Sequence, residues 1–467
     1  MPLMRLIAEN IGPFERLDID FSDGSDKPHP GPHLLAGVNG SGKSTVLRAI
    51  AWALSSSESG FPQEEWRHFL KAPASRVAVQ MSTGHGGPYI YAGTADSADG
   101  WENRLVEWAL ERVPGEVGLL HSLGGAVTGT HSGRRYVPNQ EPVIAAYAPA
   151  RALSYVDSPA KMESLSHPTD YCLAFESTVQ NRAIQRWLAD LFSRRALAKE
   201  RGRESTSYEL TITRFQDALK LVCDDKEIQV DVELEPQIEP RLNFHGKNLN
   251  FSQLSDGIRT TIGWLADFMM RQDQAGSGKT PNPAEDGILL LDEIDIYLHP
   301  RWQRTLLPAM RKALPNVQMI ASSHSPFVIS SCREARIHVL SLDERGVAHA
   351  SPAQDAPFGE SVTATLKDIF GVESRFNVET ENDLKAWDNL KREEAVSKLP
   401  QAKRKQLETL SEELSERSEE LRLIVQTPGA LPANILKSLT NHPARKRPGA
   451  SSRKGNGTRP RPRAKLG

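Results

Sequence analysis

The sequence predicts an α/β protein built around a parallel sheet, and two features carry that prediction. Residues 37–44, Gly-Val-Asn-Gly-Ser-Gly-Lys-Ser, match the phosphate-loop pattern G-x-x-x-x-G-K-[ST] at every fixed position. Two short apolar segments, residues 287–291 and 318–321, are separated by a helix-length stretch. Strands joined by a helix form β-α-β units, which lie in parallel sheets. Since such sheets bind ligands at the carboxyl ends of their strands, we expect the residues after both segments to face the phosphate loop.

Several strands and one helix are predicted on either side of the phosphate loop. A short strand over residues 33–36 enters it, and a helix over 45–54 leaves it. Alternating apolar residues predict a β-hairpin over 3–21 and further strands at 76–80, 89–91 and 143–147. We therefore expect an antiparallel N-terminal sheet beside the parallel one.

The middle of the chain is predicted to be mainly helical. Residues 161–222 have a helical pattern, with apolar side chains at i, i+3, i+4 and i+7: Ile184, Trp187, Leu188 and Leu191. The later predictions, in chain order, are a strand at 230–234, a loop at 276–286, a helix at 302–314, a hairpin over 338–347 and short helices after Pro352.

A leucine stripe marks the last predicted helix, which is otherwise highly charged. It consists of Leu407, Leu410, Leu414 and Leu421. Two interpretations stay open: the stripe packs onto the main body of the protein, or it docks a partner.

Composition limits the class of protein. At 467 residues, the chain is long enough for two or three structural units. It has no apolar run of about 18 residues and no secretion signal at its start, so we expect a cytoplasmic protein without a membrane span. Cys172, Cys223 and Cys332 are widely spaced and odd in number, so they indicate ordinary thiols and not a metal or disulfide framework.

The C-terminal end is strongly basic. Residues 445–465 contain nine Lys or Arg and no acid, although the whole chain carries a formal net charge of −2. We expect a disordered tail, with a nucleic-acid-binding arm as the alternative interpretation.

The phosphate loop predicts a site for a nucleoside triphosphate. Its glycines let backbone N–H groups turn toward the phosphates, the lysine offsets their charge and Ser44 ligates Mg²⁺. The residues that we expect to hold the nucleotide are Gly37, Asn39, Gly40, Ser41, Gly42, Lys43, Ser44 and Thr45.

Two acids and a histidine complete the predicted chemistry. Asp292 follows a buried strand and is placed to ligate Mg²⁺, while Glu293 is placed to orient or deprotonate the attacking water. His324 follows the next buried strand and can contact the γ-phosphate. The alternative is that the acids are solvated ends of a strand and that the histidine is structural.

A second anion-binding element is predicted at residues 254–259. A loop of small residues leads into an apolar helix there. Ser255 and the free N–H groups at the start of that helix point along the helix dipole. A second cradle of this kind would clamp the γ-phosphate from the other side, and it can come from another subunit. The alternative is an ordinary N-capped helix.

Together these motifs resemble ABC-type ATPases of the SMC/RecF/OLD-like class, and within it the compact ATPases of Septu-type and retron-associated bacterial anti-phage defence systems. The resemblance covers residues 1–425 and includes Ala146–Arg151, Leu291–Gln303, Ser322–Pro326 and Leu366–Gly371. It implies that Ser255–Gly257 form the signature motif and that His324 is the switch histidine.

The resemblance also implies a two-lobed ABC-ATPase head with a helical insertion and a helical C-terminal region. We divide the chain into a first lobe (1–154), an insertion with connecting strands (155–245), a second lobe (246–350), a helical region (351–428) and the basic tail (429–467). The glutamine loop by which such ATPases sense Mg²⁺ has no clear counterpart, and the role of Arg151 is open. The acid cluster of a TOPRIM nuclease is absent from the sequence after His324.

The function implied by this class is ATP binding and slow hydrolysis at sites shared within a homodimer or higher oligomer. That switch would license a separate effector, such as an HNH nuclease, in anti-phage defence. A RecF-like DNA-repair ATPase that binds nucleic acid directly is the first alternative. A transport ATPase subunit is the weaker one, because Leu-Ser-Asp-Gly departs from the usual Leu-Ser-Gly-Gly-Gln.

Overall fold

A computed structural model describes most of the chain, which divides into two compact units between Gly371 and Val372. The described residues are 2–25, 27–54, 69–71, 74–82, 88–96, 98, 100–113, 115–122, 128–129, 143–149, 181–233, 239–275, 287–372 and 376–426. Arg151, the predicted loop at 276–286 and the basic tail lie outside these ranges, as does the first part of the predicted helical segment, residues 161–180.

The elements of the first unit fall into two groups along the chain. The first group is β1 (Leu3–Ile11), β2 (Phe14–Asp20), β3 (His33–Gly37), α1 (Lys43–Leu54), β4 (Arg76–Met81), β5 (Tyr89–Thr94), α2 (Trp101–Leu110), β6 (Glu116–Ser122), β7 (Thr128–Gly129) and β8 (Val143–Tyr147). The second begins with two long helices and ends with a short one: α3 (Asn181–Glu200), α4 (Thr206–Val222), β9 (Gln229–Glu233), β10 (Glu239–Phe244), β11 (Lys247–Asn250), α5 (Asp256–Ala275), β12 (Gly287–Leu291), α6 (Pro300–Gln303), α7 (Leu306–Ala313), β13 (Val317–Ser322), α8 (Pro326–Ile329), β14 (Arg336–Leu342), β15 (Ala348–Ala350), β16 (Gln354–Asp355) and α9 (Val362–Phe370).

Two large sheets organise this unit, which confirms the predicted α/β class. The N-terminal sheet has the strand order β2-β1-β4-β5-β6-β7, and its pairs are antiparallel except for β5 with β6. The second sheet has the order β15-β14-β3-β13-β12-β8, and the five strands from β14 to β8 run parallel. A small sheet of β9, β10 and β11 is separate from both.

Apolar side chains on alternate faces of the parallel sheet build two cores. From β12, Leu289 and Leu291 point into a core with α3, α4, α5 and α7, while Ile288 and Leu290 point into one with α1 and the N-terminal sheet. Because both faces are covered, β12 and β3 are buried throughout and appear in the sequence as continuous apolar runs.

The amide of Gln318 links β13 of the parallel sheet to β1 of the N-terminal sheet. The Gln318 side chain in β13 accepts a hydrogen bond from the Leu3 N–H at 2.6 Å and donates one to the Leu3 carbonyl at 2.9 Å. It thereby makes both bonds that a neighbouring strand would make with Leu3.

The predicted helix over 302–314 is wrong in one respect, since the structure contains two short helices there. α6 ends at Gln303 and α7 begins at Leu306. Pro308 has no N–H to donate to the carbonyl four residues earlier, and its ring would clash with that carbonyl. A new helix start near Thr305 removes the conflict, because proline is tolerated in the first turn.

The described part of the second unit contains three helices, which bear on the two interpretations of the leucine stripe. The helices are α10 (Val378–Val396), α11 (Gln401–Arg417) and α12 (Glu419–Gln426). Leu407, Leu414 and Leu421 pack against Leu384, Trp387 and Leu390 within this unit. The stripe therefore contributes to a local core of this unit, and partner docking stays a prediction. In the described part of the chain, no helix is long and apolar enough to cross a membrane.

A buried histidine pair joins β3 to β14. His33 Nδ1 lies 3.0 Å from His338 Nε2, and both rings are buried beside Phe21. The pKa of His338 is lowered from its ordinary 6.5 to about 4, mainly by burial, with Arg336 and His29 also lowering it and Asp20 opposing them. Burial also places the pKa of His33 well below 6.5.

We therefore expect stability to fall as the pH is lowered from about 6.5 toward 4. In that window the unfolded chain binds protons that the folded chain refuses, at a cost of about 3 kcal/mol for His338 alone. Urea midpoints measured between pH 7 and pH 5 test this. His338→Gln should flatten the profile, whereas His349→Gln, at an exposed histidine, should not. A flat wild-type profile would contradict the expectation.

Candidate nucleotide site

The strand order brings the predicted motifs to one edge of the parallel sheet. β13 lies between β3 and β12, with Ser322 opposite Leu35 and Ala321 opposite Leu291. The three strands run parallel, so their carboxyl ends deliver the phosphate loop, Asp292 with Glu293, and His324 to the same edge. This edge is where open α/β sheets bind ligands.

The shape of the phosphate loop depends on its glycines. Gly40 and Gly42 have φ of 80° and 92°, which is strained for residues with a side chain. A Cβ on Gly42 would lie 2.4 Å from the Phe14 ring, because the turn between β1 and β2 closes against the loop. Space beside Gly40 is open by contrast. The loop is thus supported from one side and accessible at Gly40, and Asn39 next to it is exposed.

Lys43 is buried at the start of α1 and folds back over the loop. Its Nζ donates to the carbonyls of Gly37 at 3.0 Å and Val38 at 2.9 Å. Burial lowers its pKa, and the nearby charges of Asp292, Glu293 and Asp295 oppose that shift. A single ammonium group therefore lies within the field of three carboxylates.

Other residues of the loop fit an anion. Gly37 closes against the Leu340 carbonyl, which lies 2.2 Å from where a Cβ would be. Within the described residues, the buried hydroxyl of Ser41 has no hydrogen-bond partner. A phosphate oxygen would satisfy it, because buried polar atoms are normally paired. Ser44 is half-buried beside it, and Thr45 is buried against Gly12.

Asp292 is a buried carboxylate held by its surroundings. Its Oδ1 accepts a hydrogen bond from the Ser322 hydroxyl at 2.6 Å, and its N–H donates to the Tyr147 carbonyl at 3.0 Å. Ser322 also accepts a hydrogen bond from the Glu293 N–H at 2.7 Å. One serine on the middle strand thus positions both acids.

Glu293 leaves the strand in an unusual conformation. Its φ is 47°, which is uncommon for a residue with a side chain and is found most often at functional sites. The turn sends consecutive side chains in different directions, so that Asp292 is buried and Glu293 half-buried. The two acids therefore have different environments, which suits a metal ligand beside a proton acceptor.

His324 lies in the same charge cluster. The backbone N–H of His324 donates a hydrogen bond to Asp295 Oδ1 at 3.2 Å. Burial lowers its pKa, Lys43 lowers it further, and Asp295 and Asp292 oppose these effects. The imidazole therefore lies near both the lysine and the acids, as predicted from its place after the second strand.

The predicted signature segment begins α5, with Ser255 exposed and Gly257 buried. Asn250 and Gln253 form a reciprocal capping box just before it, which sets the direction in which the chain enters the helix. A Cβ on Gly257 would lie 2.4 Å from the Tyr297 carbonyl. Gly257 thus packs against the loop that follows the two acids, while Ser255 faces outward.

Sequence reasoning did not identify Ser322 and Tyr147 as residues of this site. Ser322 is a polar residue at the end of an apolar strand, and that was the one signal in the sequence that could have identified it.

The described residues contain no group of three His, Cys, Asp or Glu that could hold a metal ion. A Mg²⁺ ion held by Ser44, Asp292, phosphate oxygens and water needs no such group.

This fold and site define a P-loop nucleotide-binding protein with an acidic edge on a parallel sheet. Two family models match the sequence: "AAA domain, putative AbiEii toxin, Type IV TA system" over residues 169–330, and "AAA domain" over residues 5–87. These matches include the phosphate loop, both acids and His324.

Proteins of retron and Septu systems are similar to the chain over shorter segments. The retron Vc95 probable ATPase of Vibrio cholerae is 30% identical over 153 residues, which is 32% of this chain and 29% of that protein. The retron Ec83 probable ATPase of Escherichia coli is 36% identical over 94 residues, 20% of this chain and 17% of that protein. Septu protein PtuA of Bacillus mycoides is 30% identical over 132 residues, 28% of this chain and 18% of that protein.

The matched segments therefore span less than a third of these relatives.

Among solved structures, an SMC head bound to the C-terminal winged-helix domain of ScpA aligns over 76% of this chain and 98% of its own, with 14% identity and a TM-score of 0.42. The predicted resemblance to ATPases of retron and Septu systems is confirmed at the level of sequence.

Proposed function

We propose that this protein binds ATP with Mg²⁺, hydrolyses it, and uses the nucleotide state of a dimer or higher oligomer to control a partner effector in anti-phage defence. One observation carries the proposal: the parallel strands β3, β13 and β12 end at one edge, where Ser322 hydrogen-bonds to Asp292 and Glu293 and the backbone N–H of His324 donates to Asp295. Segments far apart in the sequence thus form one charge cluster at the phosphate loop.

The binding roles follow from the loop. Its backbone N–H groups, from Gly37 to Thr45, surround the β- and γ-phosphates, and Lys43 exchanges its carbonyl contacts for phosphate oxygens. Ser44 and Asp292 hold Mg²⁺, which when bound offsets phosphate charge. Ser322 keeps the Asp292 carboxylate in place.

The hydrolytic roles fall to Glu293 and His324. Glu293 orients the attacking water and accepts its proton. A half-buried carboxylate suits this role when the metal is held by other residues. The lowered pKa of His324 keeps its ring neutral at pH 7, so that one ring nitrogen can donate to the γ-phosphate while the other accepts.

We place the second half of the site on another subunit. Ser255 is exposed at the start of a 20-residue helix, whereas Gly257 is buried and packs closely against the Tyr297 carbonyl. An exposed helix start can bind the γ-phosphate of a neighbouring subunit. Closure of the dimer would then depend on the nucleotide.

The effector that we propose is a separate nuclease, such as an HNH protein. The sequence has a nucleotide site but no His-Asn-His cluster. Retron and Septu systems are the setting of the similar ATPases. We assign docking to the charged helices α10–α12, whose exposed apolar residues include Val378, Val396 and Leu423.

A three-part experiment tests this division of labour. The purified chain should hydrolyse ATP and leave DNA and RNA intact, and co-purification with the product of an adjoining gene should bring in nuclease activity. Truncation after Gly371 should release that partner and retain ATP binding, whereas truncation after Ala444 is the matched control and should retain both.

The control variant also tests the basic tail. If residues 445–465 bind duplex DNA, their loss should reduce the slope of log affinity against log salt by about 0.9 for each lost phosphate contact. DNA cleavage by the isolated chain that requires Asp292 would contradict the proposal of a separate nuclease.

A further inference from the structure

A buried polar cluster connects α5 to the strand next to β12. The Tyr147 hydroxyl donates to Asp267 Oδ2 at 2.6 Å, and Arg271 Nε donates to the same oxygen at 2.7 Å. The side chains of Asp267 and Arg271 are 3% and 5% exposed. In the described part of the chain, the second oxygen of Asp267 has no hydrogen-bond partner.

Stability alone does not explain this cluster. Burying an ion pair costs several kcal/mol per ion, and apolar replacements of similar volume are often as stable or more so. An unpaired carboxylate oxygen adds to that cost. Buried polar contacts of this kind instead fix one arrangement of the elements that they join.

The same half of α5 is also attached to the helical insertion. Trp187 of α3 donates to Asp273 Oδ2 at 2.9 Å, and Thr211 of α4 donates to Asp273 Oδ1 at 3.3 Å. Arg214 of α4 donates to Gln272 Oε1 at 2.9 Å. α3, α4 and the C-terminal half of α5 are therefore linked by specific side-chain bonds.

Tyr147 also contacts the acidic edge through its backbone. Its carbonyl accepts the hydrogen bond from the Asp292 N–H, and it lies opposite Leu291 in the sheet. At its other end, α5 touches the loop after the acids, where Gly257 meets the Tyr297 carbonyl. A shift of α5 is thus felt at Asp292 through Tyr147 and at Tyr297, in the loop that follows Glu293, through Gly257.

We infer that Tyr147 and Asp267 are positioning residues that couple α5 to Asp292 and Glu293. Movement at the exposed start of α5, or at α3 and α4, would change the position of the acids through the bond between the Tyr147 hydroxyl and Asp267. This inference rests on the proposed function, because it assigns the control of the same hydrolytic site. It predicts an effect on turnover that is separate from nucleotide binding.

Tyr147→Phe tests the coupling, because it removes one hydroxyl and keeps the ring. We expect the turnover number for ATP to fall about tenfold, with the Kd for ATP within about threefold of wild type. The matched control is Thr94→Val, which removes a buried hydroxyl that donates to Ser75 in the N-terminal sheet. The control should stay within about twofold of wild type in both quantities.

A second measurement does not depend on activity. In both Tyr147→Phe and Asp267→Asn, amide hydrogen exchange over residues 287–294 should be faster than in wild type, while exchange in α2 should be unchanged. Asp267→Asn keeps the size of the side chain and provides a second variant if Tyr147→Phe does not fold.

Three results would overturn the inference: wild-type turnover in Tyr147→Phe, a parallel loss of binding and turnover, or an equal loss in Thr94→Val. If the wild-type protein itself does not hydrolyse ATP, the proposed function fails. The exchange experiment then decides the coupling alone, since faster exchange supports it and unchanged exchange rejects it.

Discussion

Glu293→Gln is expected to lower the turnover of ATP by about 100-fold or more while nucleotide still binds. Glutamine keeps the size and hydrogen-bonding capacity of the side chain but cannot accept the proton of the attacking water. The backbone of residue 293 is held by Ser322, so the variant should keep the turn at this position. Single-turnover hydrolysis and a separate binding titration measure the two quantities.

Lys43→Ala is the comparison variant, because it is expected to affect nucleotide binding and not turnover alone. The buried ammonium group offsets phosphate charge, so its loss should weaken binding itself. Hydrolysis at the wild-type rate by Glu293→Gln would show that another group accepts the proton.

Ser255→Arg is expected to abolish both hydrolysis and nucleotide-driven dimerisation without unfolding the monomer. Ser255 is exposed, so a large side chain can be accommodated in the free subunit. At a shared site, the same side chain would occupy the position of the γ-phosphate. Size-exclusion chromatography with and without ATP follows the assembly, and thermal unfolding serves as the control for folding.

Mixing two inactive variants tests whether the site is shared. In a heterodimer of Ser255→Arg with Lys43→Ala subunits, one site receives an intact phosphate loop and an intact Ser255. Some activity should therefore return. If heterodimers form and remain inactive, the site is not completed by the second subunit.

The sequence was sufficient for the parts of the fold that depend on local pattern. The strand at 287–291 is buried on both faces, so it appears as an unbroken apolar run, and the phosphate loop has fixed positions that few other structures share. Parallel connection of β3, β13 and β12 then fixes the edge at which Asp292, Glu293 and His324 meet. Their roles in binding and hydrolysis remain predictions.

Other features depend on contacts that no local pattern records. The bond between Ser322 and Asp292 joins residues 30 positions apart, and that between Tyr147 and Asp267 joins residues 120 apart. The leucine stripe shows the same limit. Its spacing predicts that one face of the helix is buried, but the same spacing serves a neighbouring helix, the main body or a partner equally well.

The amide of Gln318 has a consequence for how the first unit can move. Because this side chain holds Leu3 by two hydrogen bonds, the two sheets are fixed to each other at the contact between β1 and β13. A second link, from the Ala348 N–H to the Pro13 carbonyl at 2.9 Å, joins β15 to the turn between β1 and β2, so a rotation of one sheet against the other would turn about the line through both contacts. Displacements would be smallest near that line and would grow with distance, so that β7, which lies four strands from β1 in the N-terminal sheet, would travel furthest.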